Sequence, residues 1–502
     1  MKRCIYILWL ATVLLVAPPP VHAQKQEGSE IIALAKRFIK LLAKEDFSSA
    51  VKNFDSTMKR AMPPERLQEV WKSLIAQGGP FKRHVDVRTE KWQQYDIVFV
   101  ICEFEKSLFD VKVVFNSTKQ IAGLFFIPSQ PYAEYEPPAH AKPDSFRERE
   151  VLVGTGEWAV PGTITVPVGN GPFPAVVLVH GSGPHGRDET LGPNKPFRDL
   201  AWGLASQGIA VLRYEKRTKE HAAKFVSVKE SMTIKEETIE DALAAVSMLR
   251  NTEEIDAEKI FVLGHSLGGM LIPRIGMLDP NIGGFIVMAG STKPLEDVIL
   301  IQISYIFSLD GTISESEKAQ LAEIKLQVAR VKDPKLSAMT PSTDLPLGIP
   351  PKYWLDLRDY NPPEVAKNLK QPILILHGKR DYQVTMENFQ GWKMSLSSRK
   401  NVKFKIYPKL NHLFIEGKGK STPAEYQMAG HVAEIVINNI ANWIKSSRHL
   451  HPTPDLRFIH TWRIRSKLLY SFINLRNDGQ HYSFKDRKRW GKGDSLKICS
   501  ES

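Results

Sequence analysis

Between Glu30 and Lys44, apolar residues recur at helical spacing: Ile31, Leu34, Ala35, Phe38, Leu41 and Leu42 form one stripe. A second helix is predicted from Pro63 through Leu67, Val70, Trp71 and Leu74. The rhythm then changes. Ile97–Phe104, Phe109–Phe115 and Ile121–Ile127 are apolar or alternating runs divided by short polar turns, which predicts an antiparallel meander. Helices followed by strands make a small α+β domain over residues 24–127, without a catalytic cluster of its own. Pro128, Pro131, Pro137, Pro138 and Pro143 then mark a stiff linker over 128–145.

From residue 146 onward the pattern alternates. An initial hairpin is predicted from Val151–Gly154 and Gly162–Val168, and buried strands at Ala175–Val179, Ile209–Tyr214, Lys259–Leu263, Gly284–Ala289, Ile373–Leu376 and Val402–Tyr407. Phe197–Gln207 and Glu237–Arg250 read as helices between them. Alternating β and α units with continuous apolar strands imply one α/β domain over 146–446, with a mostly parallel sheet and helices on both faces. Residues 293–370 interrupt the alternation and contain a helical stretch, Ser314–Val331. An insertion of that length at the carboxyl edge of a sheet is expected to be a helical cap over the site.

Three of the predicted core strands are followed by reactive residues. Ile260-Phe261-Val262-Leu263 runs into Gly264-His265-Ser266-Leu267-Gly268, a strand, sharp turn and helix start with a serine at the apex. A hydroxyl needs a base, and the base needs a group that fixes its tautomer. Asp381 follows the strand Ile373–Leu376 and His412 follows Val402–Tyr407, so Ser266, Asp381 and His412 are the candidate triad, in the order found in α/β-hydrolases. Glu416 and Asp359 are weaker substitutes for the acid. The Leu267 amide is one candidate oxyanion donor, and the Ser182 amide in His180-Gly181-Ser182-Gly183-Pro184 is the other. His180 itself reads as a structural hydrogen-bonder of that turn.

The ends of the chain alter the picture. Lys2 and Arg3 precede the apolar segment Ile5–Val16, and Val21-His22-Ala23 supplies small residues, so residues 1–23 read as a signal peptide cleaved before Gln24. A periplasmic or extracellular location follows as an expectation. Hydrophobic content of 42% and charged content of 25% are those of a soluble globular protein. Of the net charge of +13, +7 lies in the tail from Ser446, with twelve Lys or Arg against five Asp or Glu. The charge therefore does not imply a specific nucleic-acid function. Residues 447–502 read as a poorly ordered basic appendage, open to weak contact with anionic surfaces. Cys4 would leave with the leader, and Cys102 and Cys499 are too few for a disulfide framework. No Cys/His cluster has metal-ligand spacing and no phosphate-binding loop occurs, so neither a metal nor an organic cofactor is expected.

The blocks His180–Pro184 with Arg187-Asp188-Glu189-Thr190, then Arg213-Tyr214-Glu215-Lys216-Arg217, then Gly264–Gly268, resemble secreted bacterial α/β-hydrolases of the esterase D type. The N-terminal region is similar to the domain of unknown function that often precedes them. Glu215 and Thr218 depart from that pattern, standing where aspartate and glycine are more usual, and the basic tail is foreign to it. The resemblance implies an α/β-hydrolase fold and a carboxylic-ester hydrolase favouring short acyl chains, with a small-molecule acyl ester as its substrate. Three other readings stay open: a serine aminopeptidase-like peptidase using Asp356, Asp359 or Glu364 to hold an ammonium, a thioesterase, and a catalytically dead binding module.

Overall fold

The computed structural model describes residues 21–92, 95–129 and 135–447. Most of the leader segment and nearly all of the basic tail, both read from the sequence, lie outside those residues.

The N-terminal helices Val21–Ala43, Phe47–Ala50, Ser56–Ala61 and Pro64–Gly78 precede a four-stranded antiparallel sheet of β1 (Phe81–Trp92), β2 (Tyr95–Phe104), β3 (Leu108–Phe115) and β4 (Ile121–Ser129), in that spatial order. The pleat divides β2 between two faces. Val98, Val100, Cys102 and Phe104 join Phe38, Leu42, Phe54 and Trp71 in one core, while Ile97 and Phe99 pack with Val114 on the other face. β1 is absent from the sequence-based reading. Its segment Phe81-Lys82-Arg83-His84-Val85-Asp86-Val87-Arg88 is dominated by charge, and the structure makes it a bulged edge strand, where exposed charge discourages pairing with other chains.

The second sheet has eight strands: β5 (Phe146–Val153), β6 (Val160–Pro167), β7 (Phe173–Val179), β8 (Ala210–Tyr214), β9 (Ile255–His265), β10 (Gly284–Met288), β11 (Ile373–Gly378) and β12 (Val402–Tyr407). Their order is β12-β11-β10-β9-β7-β8-β6-β5, parallel from β12 through β8 and antiparallel at the β6 and β5 edge. Both faces are covered. Val177 and Val179 pack with the helices Glu240–Arg250, Leu267–Leu278 and Met386–Leu396, while Val176 and Leu178 pack with Pro196–Ala205 and Glu434–Ser446. All four are fully buried, at about 1.5–3 kcal/mol each. This explains why the strand is apolar at every position.

Parallel pairing brings the carboxyl ends of β7, β9, β11 and β12 to one edge of the sheet. The loops that leave that edge carry residues 180–189, 266, 381 and 412. The insertion after β10 contributes the helices Leu295–Phe307, Glu315–Lys332, Pro351–Leu357 and Pro362–Ala366. It is tied down beside this edge: Tyr360 donates to the Met270 carbonyl at 2.8 Å, and Tyr305 stacks on Tyr382 at 4.8 Å between ring centroids. The expected helix at Glu237–Arg250 begins instead with a π-helical turn, Lys235–Ile239, which holds Glu237 buried.

Candidate active site

Ser266 caps the helix Leu267–Leu278 with φ 53° and ψ −115°, a conformation that costs a residue with a side chain about 1–3 kcal/mol. The surroundings hold it there. The Ser266 N–H donates to the Met288 carbonyl at 2.9 Å. A β-carbon on Gly264 would overlap the Gly268 carbonyl, and one on Gly268 would overlap that of Val179, so only glycine at both positions lets strand, turn and helix close up. Ser266 is half-buried, and its hydroxyl has no hydrogen-bond partner among the described residues. The Leu267 amide heads the helix, where N–H groups have no intrahelical acceptor and favour negative charge.

Asp381 and His412 form a buried pair with Nδ1 2.7 Å from Oδ2, and the Asp381 side chain is fully buried. Its other oxygen, Oδ1, accepts the amides of Gln383 at 2.8 Å and Val384 at 2.9 Å. Burial pushes the Asp381 carboxyl up, but His412 and the backbone donors outweigh it, so it is held below the usual carboxylate range. The two loops meet because Gly378 ends β11 without a side chain; a β-carbon there would press on the carbonyls of Leu410 and Asn411. Asn411 stiffens the histidine loop by accepting from Leu413 N at 3.0 Å and Ile415 N at 3.1 Å. Arg380 turns away from Asp381 and pairs with Glu425, and the alternative acids Glu416 and Asp359 are both exposed.

His412 lies beside the Ser266 turn. Its ring is 4.7 Å from that of His265, and His265 Nε2 donates to the His412 carbonyl at 3.0 Å. No hydrogen bond joins Ser266 Oγ to His412. Such contacts tighten when substrate binds, so the gap does not disqualify the pair. The loop 180–189 closes the site from β7, with a β-carbon position on Gly181 lying 3.1 Å from Ser266 Cβ and 3.7 Å from its Oγ. Ser182 follows, exposed, and neither its amide nor that of Leu267 has an acceptor among the described residues. His180 donates to the Gly186 carbonyl at 3.1 Å, and burial pulls its ring down to about 3, so it is neutral and structural.

The sequence reading passed over Glu189 and His265. Both are buried, and Glu189 adopts φ 51°. Glu189 Oε1 accepts the Gly181 amide at 2.6 Å, while Oε2 lies 2.8 Å from His265 Nδ1, bent from a straight hydrogen bond so that charge attraction carries the contact. Burial opposes both charges, but the pairing prevails: His265 is raised above 6.5, and Glu189 is lowered from 4.5 to about 2. The histidine contributes stability below 6.5 that is lost as pH rises through its raised value; the glutamate contributes above 4.5 and loses it as pH falls toward 2. The pair therefore stabilises most between about 4.5 and 6.5. In thermal melts, the deficit of a Glu189→Gln variant should be largest in that window and shrink in alkali; a deficit independent of pH would contradict the pairing.

The acids considered as ammonium holders are engaged elsewhere or dispersed. Asp356 pairs with Arg274 at 2.8 Å, Glu364 with Lys367 at 2.6 Å, and Asp359 is exposed. Known proteins align with both parts of the chain. Residues 35–124 match the family described as a protein of unknown function, DUF3887, and residues 358–446, which carry Asp381 and His412, match the Dienelactone hydrolase family. Over 409 residues the chain is 40% identical to Esterase EstD of Thermotoga maritima, spanning 81% of this chain and 93% of that one. Among solved structures, Est1E from Butyrivibrio proteoclasticus aligns with a TM-score of 0.38 at 15% identity, covering 59% of this chain and 99% of its own. An esterase of Pyrococcus furiosus aligns with a TM-score of 0.37 at 17% identity, covering 63% and 99%.

Proposed function

Because this chain belongs to the family of the Thermotoga maritima esterase EstD and is an ester hydrolase, we propose that it cleaves carboxylic esters of short acyl chains through an acyl-enzyme on Ser266. The observation that supports this reading is the strained Ser266 turn, which lies against Gly181 of the loop 180–189 and, through the neighbouring His265 ring, beside the Asp381–His412 pair. A side-chain residue stays in such a conformation only where its surroundings fix it, and residues of this kind cluster at active sites.

His412, its Nδ1–H held by Asp381, takes the Ser266 proton on Nε2 as Oγ attacks the carbonyl carbon. The carbonyl oxygen becomes an oxyanion and rests on the amides of Leu267 and Ser182. The imidazolium then protonates the leaving alcohol as the C–O bond breaks. In the second half, His412 deprotonates water, which attacks the acyl-enzyme, and Ser266 recovers its proton as the acid leaves. Each proton has a carrier among these residues and water, so the cycle calls on no metal or organic cofactor. Export is part of the same reading, supported by the basic, apolar and small-residue regions of residues 1–23.

The test pairs labelling with turnover. A fluorophosphonate should attach to Ser266, located by peptide mass spectrometry, and p-nitrophenyl acetate and butyrate should be hydrolysed faster than the octanoate and far faster than aminoacyl p-nitroanilides. Preferential cleavage of the anilides would instead identify a peptidase.

A further inference from the structure

The peptide unit between Gly181 and Ser182 is gripped by a buried cation. Lys216, 2% exposed, donates from Nζ to the Gly181 carbonyl at 2.8 Å and pairs with Glu237 Oε1 at 2.6 Å. Glu237 is held in turn by the Tyr353 hydroxyl at 2.6 Å, from the helix Pro351–Leu357 of the insertion. The Lys216 amide also donates to the His185 carbonyl at 3.0 Å, so this one residue fastens the loop at two points. On the other side of Gly181, its own N–H is fixed by Glu189 at 2.6 Å.

Carbonyl and N–H of a trans peptide point in opposite directions. A cation that holds the Gly181 oxygen on one side therefore aims the Ser182 N–H to the other, while Gly181 itself lies against Ser266, its β-carbon position 3.1 Å from Ser266 Cβ. Hydrogen bonding of the carbonyl to an ammonium also polarises the unit and strengthens its N–H as a donor. We infer that Lys216 is a positioning residue for catalysis, which orients and polarises the Ser182 amide toward the transition-state oxyanion, with Glu237 and Tyr353 linking that donor to the helical insertion. The inference rests on the proposed role of Ser266 and the Ser182 amide. A buried lysine could have served folding alone; its bond to the carbonyl of the donor peptide gives it a second consequence.

The deciding comparison uses the full chain with Lys216→Met and Lys216→Gln, each combined with Glu237→Gln so that no buried carboxylate is orphaned. With the methionine pair, kcat on p-nitrophenyl acetate should fall roughly 10- to 100-fold at nearly constant KM, and affinity for a trifluoromethyl ketone should fall by a similar factor. The glutamine pair, which keeps an N–H donor at the position, should recover part of both. A folded methionine pair with wild-type kcat, or a change confined to KM, overturns the inference. Should that pair fail to fold, Tyr353→Phe carries the question: a matched fall in kcat and ketone affinity supports it, and no fall overturns it. Ser266→Ala run alongside separates the two readings: an inactive, unlabelled serine variant leaves the proposed function standing whatever Lys216 does, whereas an active one removes it.

Discussion

Ser266→Ala is expected to lower kcat on p-nitrophenyl acetate by roughly 10⁵- to 10⁶-fold and to abolish fluorophosphonate labelling, with the unfolding transition little changed. The separation of activity from stability follows from the geometry. Alanine keeps the β-carbon that already sits at φ 53°, so the strain, the bond from residue 266 N–H to the Met288 carbonyl and the close approach through Gly264 and Gly268 all persist. Only the hydroxyl is lost, and it has no hydrogen-bond partner among the described residues, so no buried group is left unsatisfied. Residual hydrolysis should come from the amides of Leu267 and Ser182 and from His412 acting on water. Measured by burst and steady-state kinetics, a variant within a hundredfold of wild type would show that another nucleophile carries the reaction.

Much of this site is legible in the sequence because its signals are local. Ser266 stands at a glycine-flanked turn after an apolar strand, and Asp381 and His412 each follow a strand that is apolar at the positions facing the sheet. What escaped is charge buried by distant pairing. Arg187-Asp188-Glu189 and Glu215-Lys216-Arg217 are charged runs with no apolar periodicity, yet Glu189 meets His265, Lys216 meets Glu237 and Arg217 meets Asp241. No local periodicity reveals such partners. Their common signal is a dense charged run in the segment that follows a core strand at the edge of the sheet that carries the site. β1 escaped for the converse reason, since an exposed edge strand needs few apolar residues.

Asp381→Asn should cost about 10⁴-fold in kcat while preserving the fold, and the structure indicates why so small a change is so damaging. Oδ1 of Asp381 accepts two backbone amides, from Gln383 and Val384, so an asparagine must place its carbonyl oxygen there. Its NH₂ then points at His412 Nδ1, where the carboxylate now accepts at 2.7 Å. A donor facing Nδ1 forces the ring proton onto Nε2, and an imidazole in that tautomer cannot accept the Ser266 proton. Flipping the amide would restore the tautomer only by setting NH₂ against two N–H donors in a buried pocket, at about 1–3 kcal/mol for each unsatisfied group. Because the native carboxyl is held below its usual range, its protonation should not set the acid limb of the rate. Kinetics of the asparagine variant from acid to alkali, with an imidazole nitrogen NMR spectrum to read the tautomer, test both statements. A variant within tenfold of wild type, or one whose ring proton remains on Nδ1, would remove Asp381 from this role.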